Sequence, residues 1–170
     1  MMKIKTSFIY IISQFSVIKF DKLLDNYGEH EVVAVLVRVL GELSGSVLYI
    51  FEKDVAFNIV EKLTGSTERN MDEMAISVIS EIGNIISSSF MNAISQFINV
   101  EAIVSVPAVA NDMISAILIS TFIEAGQYDE DILEIETNFI GDESSKITGH
   151  FYYVPGPGAL EQILKSLGIA

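Results

Sequence analysis

Between Met71 and Ile98, apolar side chains return at three- and four-residue steps: Ala75, Ile79, Ile82, Ile86, Phe90, Ala93 and Phe97. That is the period with which an α-helix gathers one apolar stripe, so the spacing predicts a helix over about 71–98 with those seven residues buried. A stripe this long cannot be buried by the helix itself. It requires a second layer, a sheet or further helices, to cover it.

The remainder of the chain supplies that layer as strands. TSFIYIISQFSVIKF is rich in β-branched and aromatic residues, and EVVAVLVRVLG and GSVLYIF, joined through ELSG, read as a hairpin. The first fifty residues are thus expected to be strands. KDVAFNIVEKLTG has apolar residues at Val55, Ile59, Val60 and Leu63, with Gly65 placed as a helix terminator. After the long helix come an apolar strand, VEAIVSVPAVA, a short helix from about Asp112, and the strands DILEIETNFIG and KITGHFYYV. PGPGALEQILKSLGIA is a turn into a closing helix that Gly168 ends. The expectation is an α/β (α+β) fold: one domain over 1–170, a largely antiparallel sheet of about six strands, and long helices packed on it.

A repeat runs through this plan. GSVLYIFEKDVAFNIVEKLTG, from Gly45, returns about a hundred residues later as GHFYYVPGPGALEQILKSLGI, from Gly149. Each copy is a glycine-led strand, a turn and an amphipathic helix, which suggests two versions of one unit, about 1–66 and 71–170, related by a pseudo-twofold axis. The second unit begins with the long helix. The first begins directly in a strand, so a leading helix is missing from it, either lost or lying upstream of this sequence.

Size, charge and composition exclude several function classes. A chain of 170 residues, half of them hydrophobic, can bury a real core. Its 23 acidic residues outnumber 10 basic ones, giving a net charge of −13 that repels phosphate backbones and argues against nucleic-acid binding. No cysteine is present, which removes disulfides, thiol nucleophiles and thiolate metal sites and fits a cytoplasmic location. No run supplies the roughly 18 consecutive apolar residues of a membrane span, and MISAILISTFI is too short and carries hydroxyls. No phosphate loop, nucleophile elbow or dinucleotide fingerprint occurs. His30 and His150 stand outside any ligand motif. The acidic run YDEDILEIE lacks the glycine and spacing of a calcium loop and reads as a solvated strand edge.

The chemistry-bearing candidate lies on the long helix. In SVISEIGNIISSSF, Glu81 and Asn84 fall off the isoleucine stripe, one turn apart on one face, with Ser77 a turn before them. A carboxylate can meet a lysine or act as a base, and an amide can donate and accept at once, as positioning an attacking water requires. A polar pair on a helix is also what any solvated face presents, and spacing alone leaves both readings open.

Ser77, Glu81, Asn84 and Pro107 together resemble the motif of the CheC/CheX/FliY phosphatases of chemotaxis: Asp or Ser, three residues, Glu, two residues, Asn, twenty-two residues, Pro. The wording EIGNI is similar to the family's own. The likeness extends from GSVLYIF through NDMISAI to the closing helix, with CheC nearest. It implies hydrolysis of the phospho-aspartate of the response regulator CheY. Asn84 would orient the water and Glu81 would dock a lysine of the partner. Ser77 would open the motif, and Pro107 would support the adjoining strand. The resemblance implies no cofactor in this chain, the Mg2+ of the reaction residing in the response regulator. Asp112 matches the position through which CheC contacts the receptor deamidase CheD, although an aspartate is also a favoured helix N-cap.

One departure carries its own expectation. CheC proteins bear two Glu/Asn motifs; this chain bears one, on the long helix of the second unit, and the absent first helix is where the other would be. The sheet face left bare should be covered by a homodimer or by rearranged packing. A rival of another class is a non-catalytic adaptor that binds CheD or a flagellar switch component.

Overall fold

The computed structural model describes residues 9–27, 29–125, 131–140, 146–166 and 168. Along the chain run β1 (Ile9–Lys19), α1 (Phe20–Tyr27), β2 (Glu31–Gly41), β3 (Gly45–Glu52), α2 (Lys53–Thr64) and α3 (Glu73–Ile98). Then follow β4 (Ala102–Val104), β5 (Ala108–Met113), α4 (Ile114–Ala125), β6 (Asp131–Ile140), β7 (Lys146–Pro155) and α5 (Ala159–Ser166). The fold is mixed α/β, and every strand pair is antiparallel.

The sheet has seven strands in the order β1-β6-β7-β3-β2-β4, with β5 also on β2. The expected six become seven because VEAIVSVPAVA is broken in two. Val39 pairs with Val104 and Leu36 with Ala108, so three residues, Ser105 to Pro107, face two of β2. This is a bulge, and proline fits it because it has no N–H to give a ladder. Ser105 holds the broken place to β2: its N–H donates to the Arg38 carbonyl at 2.8 Å, and its hydroxyl accepts from the Arg38 N–H at 2.9 Å.

Two cores lie on opposite faces of the sheet. Val33, Val35, Val37 and Val39 of β2 point into the first, with Tyr49 and Phe51 of β3, Phe151 and Tyr153 of β7, and residues of α2, α3 and α5. Val32 and Ala34 point into the second, with Leu48, Ile50, Tyr152, Leu23 of α1, and Ile114 and Leu118 of α4. Because β2 is covered on both sides, its sequence is a nearly unbroken apolar run and alternates only in part.

Four expectations change. The first fifty residues are not all strand: α1 carries Phe20, Leu23 and Leu24 on one side with Asp21 in its first turn, and Leu23 is fully buried. The acidic β6 is not an edge strand, since β1 and β7 pair with its two sides. Asp112 does not begin a helix: it lies in β5 opposite Val32, and α4 starts two residues later. On α3, Ala93 and Phe97 are exposed, and Met91 and Ile94 are buried instead. Beyond Ile86 the buried stripe follows the four-residue ridge Ile86, Phe90, Ile94, which winds slowly round the helix away from the ideal 3.6-residue line. The expected bare sheet face falls on β1 and β6, whose side chains, apart from Lys19 and Ile132, lie outside the described residues.

Candidate functional site on helix α3

Local chemistry fixes both ends of α3. Asp72 is the N-cap, its carboxylate accepting from the Ala75 N–H at 2.8 Å. Asn99 closes the helix in the left-handed conformation, φ 57 and ψ 48, with its N–H on the Ser95 carbonyl. By length and hydropathy α3 could cross a membrane. Here it is the main covering helix of the first core, with Val78, Ile79, Ile82, Ile86 and Phe90 turned inward. Phe90 meets Phe151 edge to face, ring centroids 4.8 Å apart.

That burial presents the opposite face rigidly. Ser77 and Glu81 are exposed on it, and Asn84 is half-buried. Among the described residues, the side chains of Glu81 and Asn84 make no hydrogen bond or ion pair. Their polar atoms are therefore available to a partner. α3 contains no lysine or arginine, so nothing on the helix competes for the Glu81 carboxylate. Exposed apolar residues flank the dyad: Met74 at 51% and Ile85 at 47%.

Pro107 lies half-buried at the bulge between β4 and β5, two strands that both contact α3. The fold thus brings the fourth motif position onto the strand edge beside the motif helix. Asp112 is exposed further along β5, its carboxylate accepting from the Met113 N–H at 2.7 Å. His30 is exposed before β2, and His150 sits half-buried in β7, stacked on Tyr152 at 6.3 Å. Among the described residues, no three His, Cys, Asp or Glu side chains gather as metal ligands would.

Glu81 and Asn84 lie on the outer face of α3, and neither lines the depression seen among the described residues. That depression, of about 210 Å3, is lined by Arg38, Leu40, Ser44, Ser46, Gly156 and Pro157, none of them a motif residue.

Sequence reasoning passed over Gly83, which stands between Glu81 and Asn84 and is buried against β2. A signal was present: glycine inside a helix costs about 1 kcal/mol relative to alanine, so its presence there points to a close approach.

The family "Chemotaxis phosphatase CheX" matches residues 33–118. The CheY-P phosphatase CheC of Bacillus subtilis is 26% identical over 159 residues, covering 89% of this chain and 76% of CheC. In fold the chain is similar to Thermotoga maritima FliY, with TM-score 0.72 and 16% identity, covering 97% of this chain and 84% of that one. It is also similar to the Borrelia burgdorferi CheX–CheY–BeF3–Mg2+ complex, with TM-score 0.52 and 16% identity, over 80% of this chain and 92% of that one. The chain belongs to the CheC/CheX/FliY superfamily of CheY-P phosphatase-like proteins.

Proposed function

We propose that this chain hydrolyses the aspartyl-phosphate of a CheY-type response regulator, using Asn84 to orient the water and Glu81 to dock the partner. The observation that carries the reading is the pairing of an unengaged carboxylate and an unengaged amide on one face of a rigidly backed helix. CheC, which this chain resembles along most of its length, bears the name of a CheY-P phosphatase, and a CheX relative has been crystallised with CheY.

In the proposed reaction α3 lies against the regulator, and the Asn84 amide enters the cleft that holds the phosphoryl group. The amide carbonyl accepts from the attacking water and the amide nitrogen donates to a phosphoryl oxygen, aligning the water in line with the bond to be broken. Water oxygen bonds to phosphorus, the bond to the aspartate oxygen breaks, and inorganic phosphate leaves with the carboxylate restored. An Mg2+ held by the regulator would supply neutralisation of the developing charge there. A lysine of the regulator pairs with Glu81, which fixes approach and register in spite of the net negative charge of this chain. Ser77 extends the same face by one turn, and Pro107 braces the neighbouring strand edge.

The two halves are read as versions of one unit. Exchanging β1 with β5, β2 with β6 and β3 with β7 maps the strand order onto itself in reverse, which supports a pseudo-twofold axis between β3 and β7. The long helix, with the site proposed on it, belongs to the second half. The sheet face that a second long helix would cover is assigned to a second copy of the chain or to rearranged packing, and light scattering that finds only monomer would remove the first. Asp112, exposed on the edge strand, is assigned to CheD.

The test is phosphate release from acyl-phosphate-loaded CheY with wild-type protein and with Asn84→Ala. Acceleration by the wild type that is lost in the variant supports the phosphatase. No acceleration by folded wild type, with CheD added, together with Asp112-dependent capture of CheD, selects the adaptor.

A further inference from the structure

Gly83 is buried on the inner side of α3, within one turn of both Glu81 and Asn84. A Cβ built there would lie 2.8 Å from Val35 Cβ and 3.0 Å from Val35 Cγ2. Carbon atoms rest at about 3.5–4.0 Å, so one of the two elements would have to yield. Val35 is poorly able to do so. It is 1% exposed, β-branched and stiff, and its strand is paired on both sides, with Tyr49 of β3 and Val109 of β5. The helix is the element left to move.

We infer that Gly83 is a positioning residue: its bare backbone seats α3 directly on Val35, at the height over β2 from which Glu81 and Asn84 reach a partner. This rests on the function proposed above for that dyad. Ile82 and Ile86, buried on either side, hold the helix down at this point, so the seat is shared by the turn that carries the dyad. A side chain at position 83 lifts or tilts that turn, and the amide moves with it. Placement errors near 1 Å cost up to about 100-fold in rate. A glycine here thus stands against helix propensity because the site depends on the distance.

The experiment compares wild type, Gly83→Ala, Val35→Ala and the double variant, measuring kcat and KM for phosphate release from CheY-P and solving the four crystal structures. Gly83→Ala is expected to lower kcat by about 10- to 100-fold. Val35→Ala should keep kcat within roughly two-fold of wild type, because it opens space without pushing the helix. Adding Val35→Ala to Gly83→Ala should bring kcat most of the way back, a rescue that general destabilisation would not produce. Wild-type kcat in Gly83→Ala, or a double variant no better than the single one, overturns the inference. If Gly83→Ala fails to fold, Val35→Ile presses on the same contact from the sheet side: lowered kcat supports the inference and unchanged kcat overturns it. If wild type itself releases no phosphate, the proposed function fails separately. The inference is then decided by the height of the Asn84 Cα above β2, displaced in Gly83→Ala and restored in the pair, or unmoved and therefore overturned.

Discussion

The Tyr153 hydroxyl donates a 2.7 Å hydrogen bond to the Leu43 carbonyl, joining the C-terminal part of β7 to the turn between β2 and β3. The same hydroxyl lies 3.3 Å from the Ser44 carbonyl. Tyr153 is fully buried, and burial pushes its phenol well above the ordinary value of 10.0. Replacing it by phenylalanine leaves buried carbonyl capacity unsatisfied, at a cost of about 1–2 kcal/mol in urea unfolding. The raised pKa also sets a pH dependence. The neutral phenol favours the folded state, so its contribution is complete below about pH 10 and declines as pH rises toward the folded pKa. Tyr153→Phe should therefore have lower stability at neutral pH but a flatter alkaline limb.

Asn84→Ala should lower phosphate release from CheY-P by about 100-fold, the scale for losing a positioned hydrogen-bonding group. Its unfolding free energy should stay within about 0.5 kcal/mol of wild type, because the amide makes no hydrogen bond among the described residues and alanine favours helix. A large fall in thermal stability would instead make the amide structural.

Glu81→Ala should act on docking. Under the proposed pairing of this exposed carboxylate with a partner lysine, KM is expected to rise about ten-fold, equivalent to about 1.4 kcal/mol, with a smaller change in kcat. The salt dependence of KM should flatten in the variant, since the ion pair is the screened part of the contact. Ile85→Ser, on the exposed flank of the dyad, should also raise KM without abolishing release at saturation.

Asp72→Ala removes the N-cap of the motif helix, and should cost about 1 kcal/mol in chemical denaturation. The cap lies more than two turns before Asn84, so kcat per folded molecule should remain near wild type. A loss of kcat equal to that of Asn84→Ala would show that fraying of the first turns reaches the site.

Much of this protein was legible in its residues because it depends on local rules. The period of α3, its polar Glu81/Asn84 face, the glycine after α2 (Gly65, φ 75) and the hairpin of β2 and β3 follow from spacing and turn chemistry within a few residues. The four motif positions, Ser77, Glu81, Asn84 and Pro107, come instead from the family resemblance, whose spacing they match. What spacing could not supply was anything set by neighbours distant in sequence. The apolar run of β2 does not say that helices cover both its faces, and the charges of β6 do not reveal the partners on its two sides. Periodicity ran the buried stripe of α3 on to Phe97, where the four-residue ridge instead turns Ile94 inward. Pro107 could be counted, but its bulge exists only in register against Arg38 and its neighbours. Gly83 is the sharpest instance. The sequence shows a helix-weakening residue in the middle of a helix, and only the approach of Val35, 48 positions earlier, gives the reason: a side chain there would occupy space already filled by the sheet.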